Sequence, residues 1–434
     1  MQVEAWLARS ARRFGDRVAI ETYERSLSYS ELEEMAAAGA AEIGVAPGTR
    51  VAIALPPGLE FVVALHSCFR AGAVAVPLDP RDPASDLRRA ETDVVIDRPL
   101  DCRAAAAPAR QCELEDAALI VRTSGTSGEP KDVPLTYGNF LWSAIGSAVA
   151  LGLDPRERWL CTLPLVHVGG LSIVLRSAIY GTTAVLHERF DAQAAARAIR
   201  DDEITLVSVV ATTLRRLLDA GLSDPPTLRC ALAGGGPVSA VLIERAHLAG
   251  VTVSQTYGLT EACSQVATQS PGEREAAAGP PLFCSRVGIA ANGEILVGGP
   301  TVSPSVAGGE LATGDVGELL SDGSLRVLGR ISETIISGGE NVSPSEVEAV
   351  LEEHPLVAEA GVYAMVDEQW GEAVHAAVVA RAPLDAGELR AWCSTRLAAY
   401  KVPKEIRLVE ALPRTASGKL QRKLLAVDDA SDSA

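Results

Sequence analysis

The sequence predicts an α/β protein of two domains: a large N-terminal domain, residues 1–330, of mainly parallel α/β layers plus a β-rich subdomain, and a small α+β C-terminal domain, residues 331–434. Three observations predict it. Short apolar runs alternate with helix-patterned stretches up to about residue 260, and strand–helix–strand succession implies a parallel sheet covered on both faces. From about residue 286 the texture changes to short strands punctuated by glycine. The chain of 434 residues also exceeds the size at which one hydrophobic core keeps growing.

Taken in order, residues 4–14 and 30–43 read as amphipathic helices, the second opened by Ser30 with Glu33 three residues on, a capping-box pattern. The runs at 51–55 and 73–78 are buried strands flanking a helix over 58–71. Residues 80–118, rich in Asp, Pro and Ala, read as a loosely organised connection. Strands then fall at 118–123, 159–164, 183–187, 205–210, 230–234 and 251–258. The helices between them cover 137–151, 170–180, 191–200, a stretch ending near 220, and 238–249. The segments R-V-G-I, G-E-I-L-V and G-S-L-R-V-L form the small antiparallel unit, and the texture changes again near Gly329–Ser332. Helix 344–353, strands 358–365 and 374–380, helix 385–399 and strand 405–409 complete the C-terminal unit. Pro344 suits the first position of its helix. The small, acidic residues after Leu425 are expected to be disordered.

Composition excludes some functions. A formal net charge of −17 argues against general nucleic-acid binding, which needs clustered Lys and Arg. An anionic ligand must therefore be held by a few local bases, backbone N–H groups and a metal ion. The 8 cysteines show no C-x-x-C spacing and read as free thiols. The first residues carry charges where a signal peptide needs an apolar run, and no uninterrupted apolar stretch reaches the ~18–20 residues of a membrane span. A cytoplasmic protein with no membrane partner is expected, and monomer and homo-oligomer both stay open.

T-S-G-T-S-G-E-P-K, Thr123 to Lys131, directly follows a strand. Glycine lets backbone approach an anion, hydroxyls and N–H groups cradle phosphate oxygens, and lysine adds a compact positive charge. The spacing is not that of a Walker A loop, and a Ser/Gly turn between elements would use the same residues. Q-T-Y-G-L-T-E-A, Gln255 to Ala262, ends another buried strand, where open α/β sheets bind ligands. There Glu261 could hold Mg²⁺ and Tyr257 could face a nucleobase; Thr260 and Glu261 could instead simply cap a helix. Gly234, Gly235, Gly236 and Pro237 offer close backbone approach or a flexible turn. Asp315, in T-G-D, is suited to accept from two ribose hydroxyls. Further on come the Gly-Gly loop within G-R-I-S-E-T-I-I-S-G-G-E-N-V-S-P and, near the C-terminus, Lys419 in P-R-T-A-S-G-K-L-Q-R-K. Taken alone, Lys419 is a solvated charge.

In this order and at these separations, the motifs resemble the adenylate-forming enzymes: acyl-CoA synthetases, peptide-synthetase adenylation domains and luciferases. The resemblance runs from about residue 10 to 425. It implies an acid–thiol ligase that uses ATP and Mg²⁺ to make an acyl-adenylate, then hands the acyl group to coenzyme A. It implies that Thr123, Ser124, Gly125, Thr126, Ser127, Gly128 and Lys131 bind the triphosphate. Gly234–Pro237 and Tyr257 would pack on adenine, Thr260 touch the α-phosphate, Glu261 hold Mg²⁺, and Asp315 and Arg330 reach the ribose. The C-terminal domain would be mobile about a hinge at Ser332. Lys419 would swing in to bridge the acid's carboxylate and the α-phosphate, and Gly338, Gly339, Glu340 and Asn341 would move toward a pantetheine tunnel in the second step.

Within that family, residues 136–268 look like the o-succinylbenzoate–CoA ligases of menaquinone biosynthesis, as does the short length. Such a substrate carries a second carboxylate that needs a fixed partner. The resemblance assigns Arg176 to it, and bidentate Arg suits a carboxylate better than Lys. It places His167 and Thr212 in the acyl pocket. Arg176 could instead form a salt bridge within the fold, and His167 could be a packed, hydrogen-bonded core residue. Asp132 stands where the phosphate-loop lysine is usually followed by Gly, and its side chain is expected to point away from the triphosphate, using the tolerance of Asp for turns. Ser332 stands where many relatives have Asp or Lys. Other acids, a carrier protein as acceptor, or a nucleotide-binding regulator without catalysis are the competing readings.

Overall fold

The computed structural model describes residues 1–81, 91–108, 110–124, 130–275, 277–415 and 420–432. Gly125, Thr126, Ser127, Gly128 and Lys419 therefore lie outside the described residues.

Two sheets form the N-terminal layers. In the first, strands Arg50–Ile53, Val74–Pro77 and Ala117–Ser124 run parallel, with Val94–Ile96 on one edge and Pro130–Thr136 antiparallel on the other. Val51, Ala52 and Ile53 are fully buried, as expected of strands covered on both faces. In the second, Val253–Leu259, Cys230–Ala233, Leu206–Val209, Arg158–Cys161, Thr183–Leu186 and Val18–Glu21 lie side by side, all parallel. Ser264–Thr268 and Ser26–Ser28 close its two edges antiparallel. A four-stranded antiparallel sheet follows, from Arg286–Ile289 to Leu325–Arg330. The C-terminal unit folds a mixed five-stranded sheet around its own apolar cluster, which includes Ile335, Val347, Val362 and Val378. None of the hydrophobic clusters among the described residues draws from both sides of residues 331–334.

Several expectations need correction. The capping box of helix Tyr29–Ile43 is Ser28 with Glu31, both reciprocal bonds being made; Glu33 pairs with Arg70 instead. The connection at 80–118 contributes two short strands, Val94–Ile96 and Gln111–Glu113. The strand Pro130–Thr136 was not expected, because two prolines argue against a sheet interior; it is an edge strand, where proline is tolerated. The helix expected over 385–399 ends at Ser394, where Thr395 Oγ1 and Arg396 Nη1 both donate to the Trp392 carbonyl. Residues 426–432, within the stretch expected to be disordered, are instead helical: helix Arg422–Asp432 carries Leu425 into a cluster with Tyr363 and Leu412.

Candidate active site

The second sheet assembles the site at its carboxyl edge, the usual ligand position of open α/β sheets. Four neighbouring strands end there on sequence-predicted residues. Arg158–Cys161 leads to His167, Leu206–Val209 to Thr212, Cys230–Ala233 to Gly234–Pro237, and Val253–Leu259 to Thr260 and Glu261.

The turn at Thr260–Ala262 is a single 3₁₀ turn, followed by Cys263 and Ser264 in the left-handed region, at φ 52° and 87°. Two such non-glycine residues cost about 1–3 kcal/mol each and persist only where the surroundings hold them. The holding contacts are present. Ser143 Oγ donates to the Cys263 carbonyl at 2.7 Å, and Ser303 N–H donates to the Glu261 carbonyl at 2.7 Å. The Glu261 side chain is half-buried and makes no hydrogen bond or ion pair with the described residues. Among those residues there is no cluster of three metal-ligating side chains either. A lone carboxylate oxygen donor suits Mg²⁺, which keeps waters and phosphate oxygens as its other ligands, so Glu261 fits that ion.

Tyr257 donates its hydroxyl to Asp315 Oδ2 at 2.7 Å. Burial, with the Asp315 carboxylate beside it, pushes that phenol up. Asp315 Oδ1 meets Arg330 Nε at 2.9 Å across the pair of strands Glu310–Leu319 and Leu325–Arg330. Each carboxylate oxygen keeps a lone pair for a further donor. Gly234 sits against Thr256: a Cβ there would lie 2.7 Å from Thr256 Cγ2.

On the first sheet, strands Ala117–Ser124 and Pro130–Thr136 pair antiparallel on either side of the expected phosphate loop. Thr123 pairs with Lys131 and Ser124 with Pro130, and Thr123 Oγ1 reaches the Lys131 carbonyl at 3.4 Å. Lys131 is exposed. Asp132 lies on a strand rather than in a turn, so it faces away from Lys131 by alternation. Its Oδ1 meets Arg122 Nε at 3.1 Å.

Arg176 is 3% exposed on helix Val168–Tyr180. Its Nη2 donates to Ser143 Oγ at 3.0 Å, its Nε has no partner among the described residues, and its guanidinium lies 5.8 Å from the Trp159 ring. Among the described residues no carboxylate is within ion-pair distance, so the alternative of a salt bridge within the fold is not realised there. Burial draws its guanidinium below the usual arginine range. His167 is exposed at the start of the same helix, not packed in the core. Ser143, which sequence reading missed, links Arg176 to the Glu261 turn; it is one of three buried polar residues on its helix, with Asn139 and Ser147, and no local pattern singles it out.

Gly338 and Gly339, at φ 63° and 86°, form the turn of the hairpin Ile335–Ser337 and Glu340–Val342. Gly338, Gly339, Glu340 and Asn341 are all exposed. The expected hinge residue Ser332 is exposed in the 3₁₀ turn Ile331–Glu333, directly after Arg330.

Residues 7–97 and 89–324 match the AMP-binding enzyme family, and residues 346–419 match the AMP-binding enzyme C-terminal domain. The chain belongs to the AMP-binding enzyme family. A 2-succinylbenzoate–CoA ligase of Bacillus licheniformis is 40% identical over 97% of this chain and 98% of its own. The o-succinylbenzoate CoA synthetase of Bacillus subtilis in complex with the acyl-adenylate intermediate OSB-AMP superposes with a TM-score of 0.90, at 37% identity and 98% coverage of both chains. A double mutant of that synthetase bound with its product analogue OSB-NCoA has the same identity and coverage and a TM-score of 0.73.

Proposed function

We propose that this protein is an AMP-forming acid–CoA ligase that converts 2-succinylbenzoate, ATP and coenzyme A into the CoA thioester, AMP and pyrophosphate. The step belongs to menaquinone biosynthesis, and we place it in the cytoplasm, which supplies ATP and CoA. The end-to-end match with 2-succinylbenzoate–CoA ligases carries this reading. The convergence of Tyr257, Asp315 and Arg330 near the strand that ends on Glu261 supports it.

In the first half-reaction a carboxylate oxygen of the acid attacks the α-phosphorus, and the bond to the bridging oxygen breaks as pyrophosphate leaves. In the second, the CoA sulfur attacks the acyl carbonyl, the bond to AMP breaks with its electron pair, and the thiol proton passes to solvent. Asp315 accepts from the ribose hydroxyls while Arg330 holds it in place. The segment from Thr123 to Lys131 cradles the triphosphate, and Thr260 meets the α-phosphate. Glu261 would hold Mg²⁺, which when bound neutralises charge on the phosphate oxygens. Lys419 brings an ammonium between the two reacting anions, which otherwise repel. Arg176 pairs with the substrate's second carboxylate, with His167 and Thr212 lining the acyl pocket. The C-terminal unit, residues 331–434, turns about Ser332 between the half-reactions and brings the Gly338–Asn341 turn toward CoA.

Incubation with 2-succinylbenzoate, Mg²⁺-ATP and CoA should give the thioester by mass spectrometry with stoichiometric AMP. Lys419→Ala should slow acyl-adenylate formation by about 10²-fold or more. No thioester from this acid, or an undiminished Lys419→Ala rate, would defeat the proposal.

A further inference from the structure

We infer that Arg215 and Glu359 form a latch that holds the C-terminal unit in the orientation used for acyl-adenylate formation, and that both are positioning residues for the first half-reaction. The inference rests on the ligase reading above.

Arg215 lies on helix Ala211–Asp219, one turn beyond Thr212, so it shares a helix face with a residue of the acyl pocket. Its Nη1 meets Glu359 Oε1 at 2.6 Å, and its Nη2 stands 3.9 Å from Glu352 Oε1. These carboxylates belong to the C-terminal unit, on strand Val357–Asp367 and helix Pro344–Glu352. The other oxygen of Glu359, Oε2, receives Arg414 Nη2 at 2.6 Å. Arg414 in turn forms a β-bridge with Leu420, and the segment between those two residues carries Lys419. A single carboxylate thus ties a helix of the large domain to Arg414, five residues before the adenylation lysine in sequence.

The latch is partly withdrawn from solvent: Arg215 is 13% exposed, Glu359 21% and Arg414 28%. Such pairs are screened less than surface pairs. Apolar packing does not duplicate them, since no cluster of the described residues spans the two units. Rotation of the C-terminal unit would part Arg215 from Glu359 and could leave Glu359–Arg414 intact, because both of the latter lie in that unit. The orientation seen here follows the acyl-adenylate complex of the Bacillus subtilis synthetase at a TM-score of 0.90, against 0.73 for the product-analogue complex.

The test separates the half-reactions in the full-length enzyme. Single-turnover acyl-adenylate formation from 2-succinylbenzoate and Mg²⁺-ATP should slow about tenfold in Arg215→Ala. Thioester formation from supplied acyl-adenylate and CoA should keep the wild-type rate. Arg215→Lys, which retains the charge, should recover part of the loss. If both half-reactions fall by the same factor, Arg215 only supports the fold and the latch is refuted. It is equally refuted if Arg215→Ala forms the adenylate as fast as wild type. Wild-type enzyme that makes no acyl-adenylate would overturn the ligase reading itself.

Discussion

Arg176 is the residue whose surroundings most require a ligand. A guanidinium in the interior needs a counter-charge, and an uncompensated buried ion costs several kcal/mol. Trp159 offers its ring face and Ser143 one acceptor, yet Nε stays unpaired among the described residues. Cost in the free protein and gain on binding an anionic acid are two sides of one arrangement. Arg176→Met should therefore lower kcat/KM for 2-succinylbenzoate by about 30-fold or more, equivalent to about 2 kcal/mol of a buried charge-assisted pair. It should also leave the melting temperature of the free protein equal or higher, since replacing a buried charge by an apolar group of similar length is neutral or stabilising. Kinetics with the dicarboxylate, beside a thermal melt without substrate, check both halves. An unchanged kcat/KM would remove Arg176 from the acid pocket.

At the scale of elements, two glycines at neighbouring strand ends do different work. Gly258 lies where strand Val253–Leu259 turns into its antiparallel partner Ser264–Thr268, and a Cβ there would stand 1.7 Å from the Ser264 carbonyl oxygen. Gly258→Ala should force this hairpin apart, cost at least about 2 kcal/mol, and disorder the Glu261 turn. Gly236 has no atom within 4 Å of such a Cβ. Gly236→Ala should leave the melt unchanged and raise the KM for ATP, if that loop packs on the nucleotide. Melting both variants and titrating ATP checks the pair, and a stability loss in Gly236→Ala would contradict it. The same region shows what was legible in sequence. Parallel strands buried on both faces are continuous apolar runs, so the order of strands leading to His167, Thr212, Gly234 and Thr260 could be read directly. Two antiparallel edge strands were missed: Pro130–Thr136 of the first sheet carries prolines, and Ser264–Thr268 of the second follows strand Val253–Leu259 after only four residues and begins with polar Ser264 and Gln265. Ser143 and the Arg215–Glu359 pair were illegible for another reason: each depends on residues 120 or more apart in sequence and has no local pattern.

Across the whole molecule, the chain passes from one unit to the other at residues 331–334, and polar contacts join the two units both beside that crossing and away from it. Ser343 Oγ donates to the Leu328 carbonyl at 2.5 Å, and Arg215 reaches Glu359. Arg422 grips Glu348 with both carboxylate oxygens, at 2.9 and 2.8 Å, and also meets Glu333 at 3.1 Å. Burial pushes the Glu348 carboxyl up to about 7, opposed by the Arg422 charge. Because Arg422 and Glu348 belong to the C-terminal unit, their hold on Glu333 fixes the far end of the turn Ile331–Glu333 to that unit. Any pivot must then lie before Glu333, at Arg330 to Ser332. The Arg330 side chain is 45% exposed and meets Asp315, and its carbonyl accepts from Thr334 Oγ1 at 3.2 Å. Opening of the unit should free the Arg330–Ile331 bond for trypsin, whereas an acyl-adenylate that engages Asp315, Arg330 and Lys419 together should keep it shut. A stable acyl-adenylate mimic at about a hundred times its Kd should lower the open population, and with it the cutting rate at this bond, by about a hundredfold. Mass spectrometry of the fragments over time measures it. If the mimic binds and the Arg330–Ile331 bond is cut at the same rate, the crossing is not where the molecule turns.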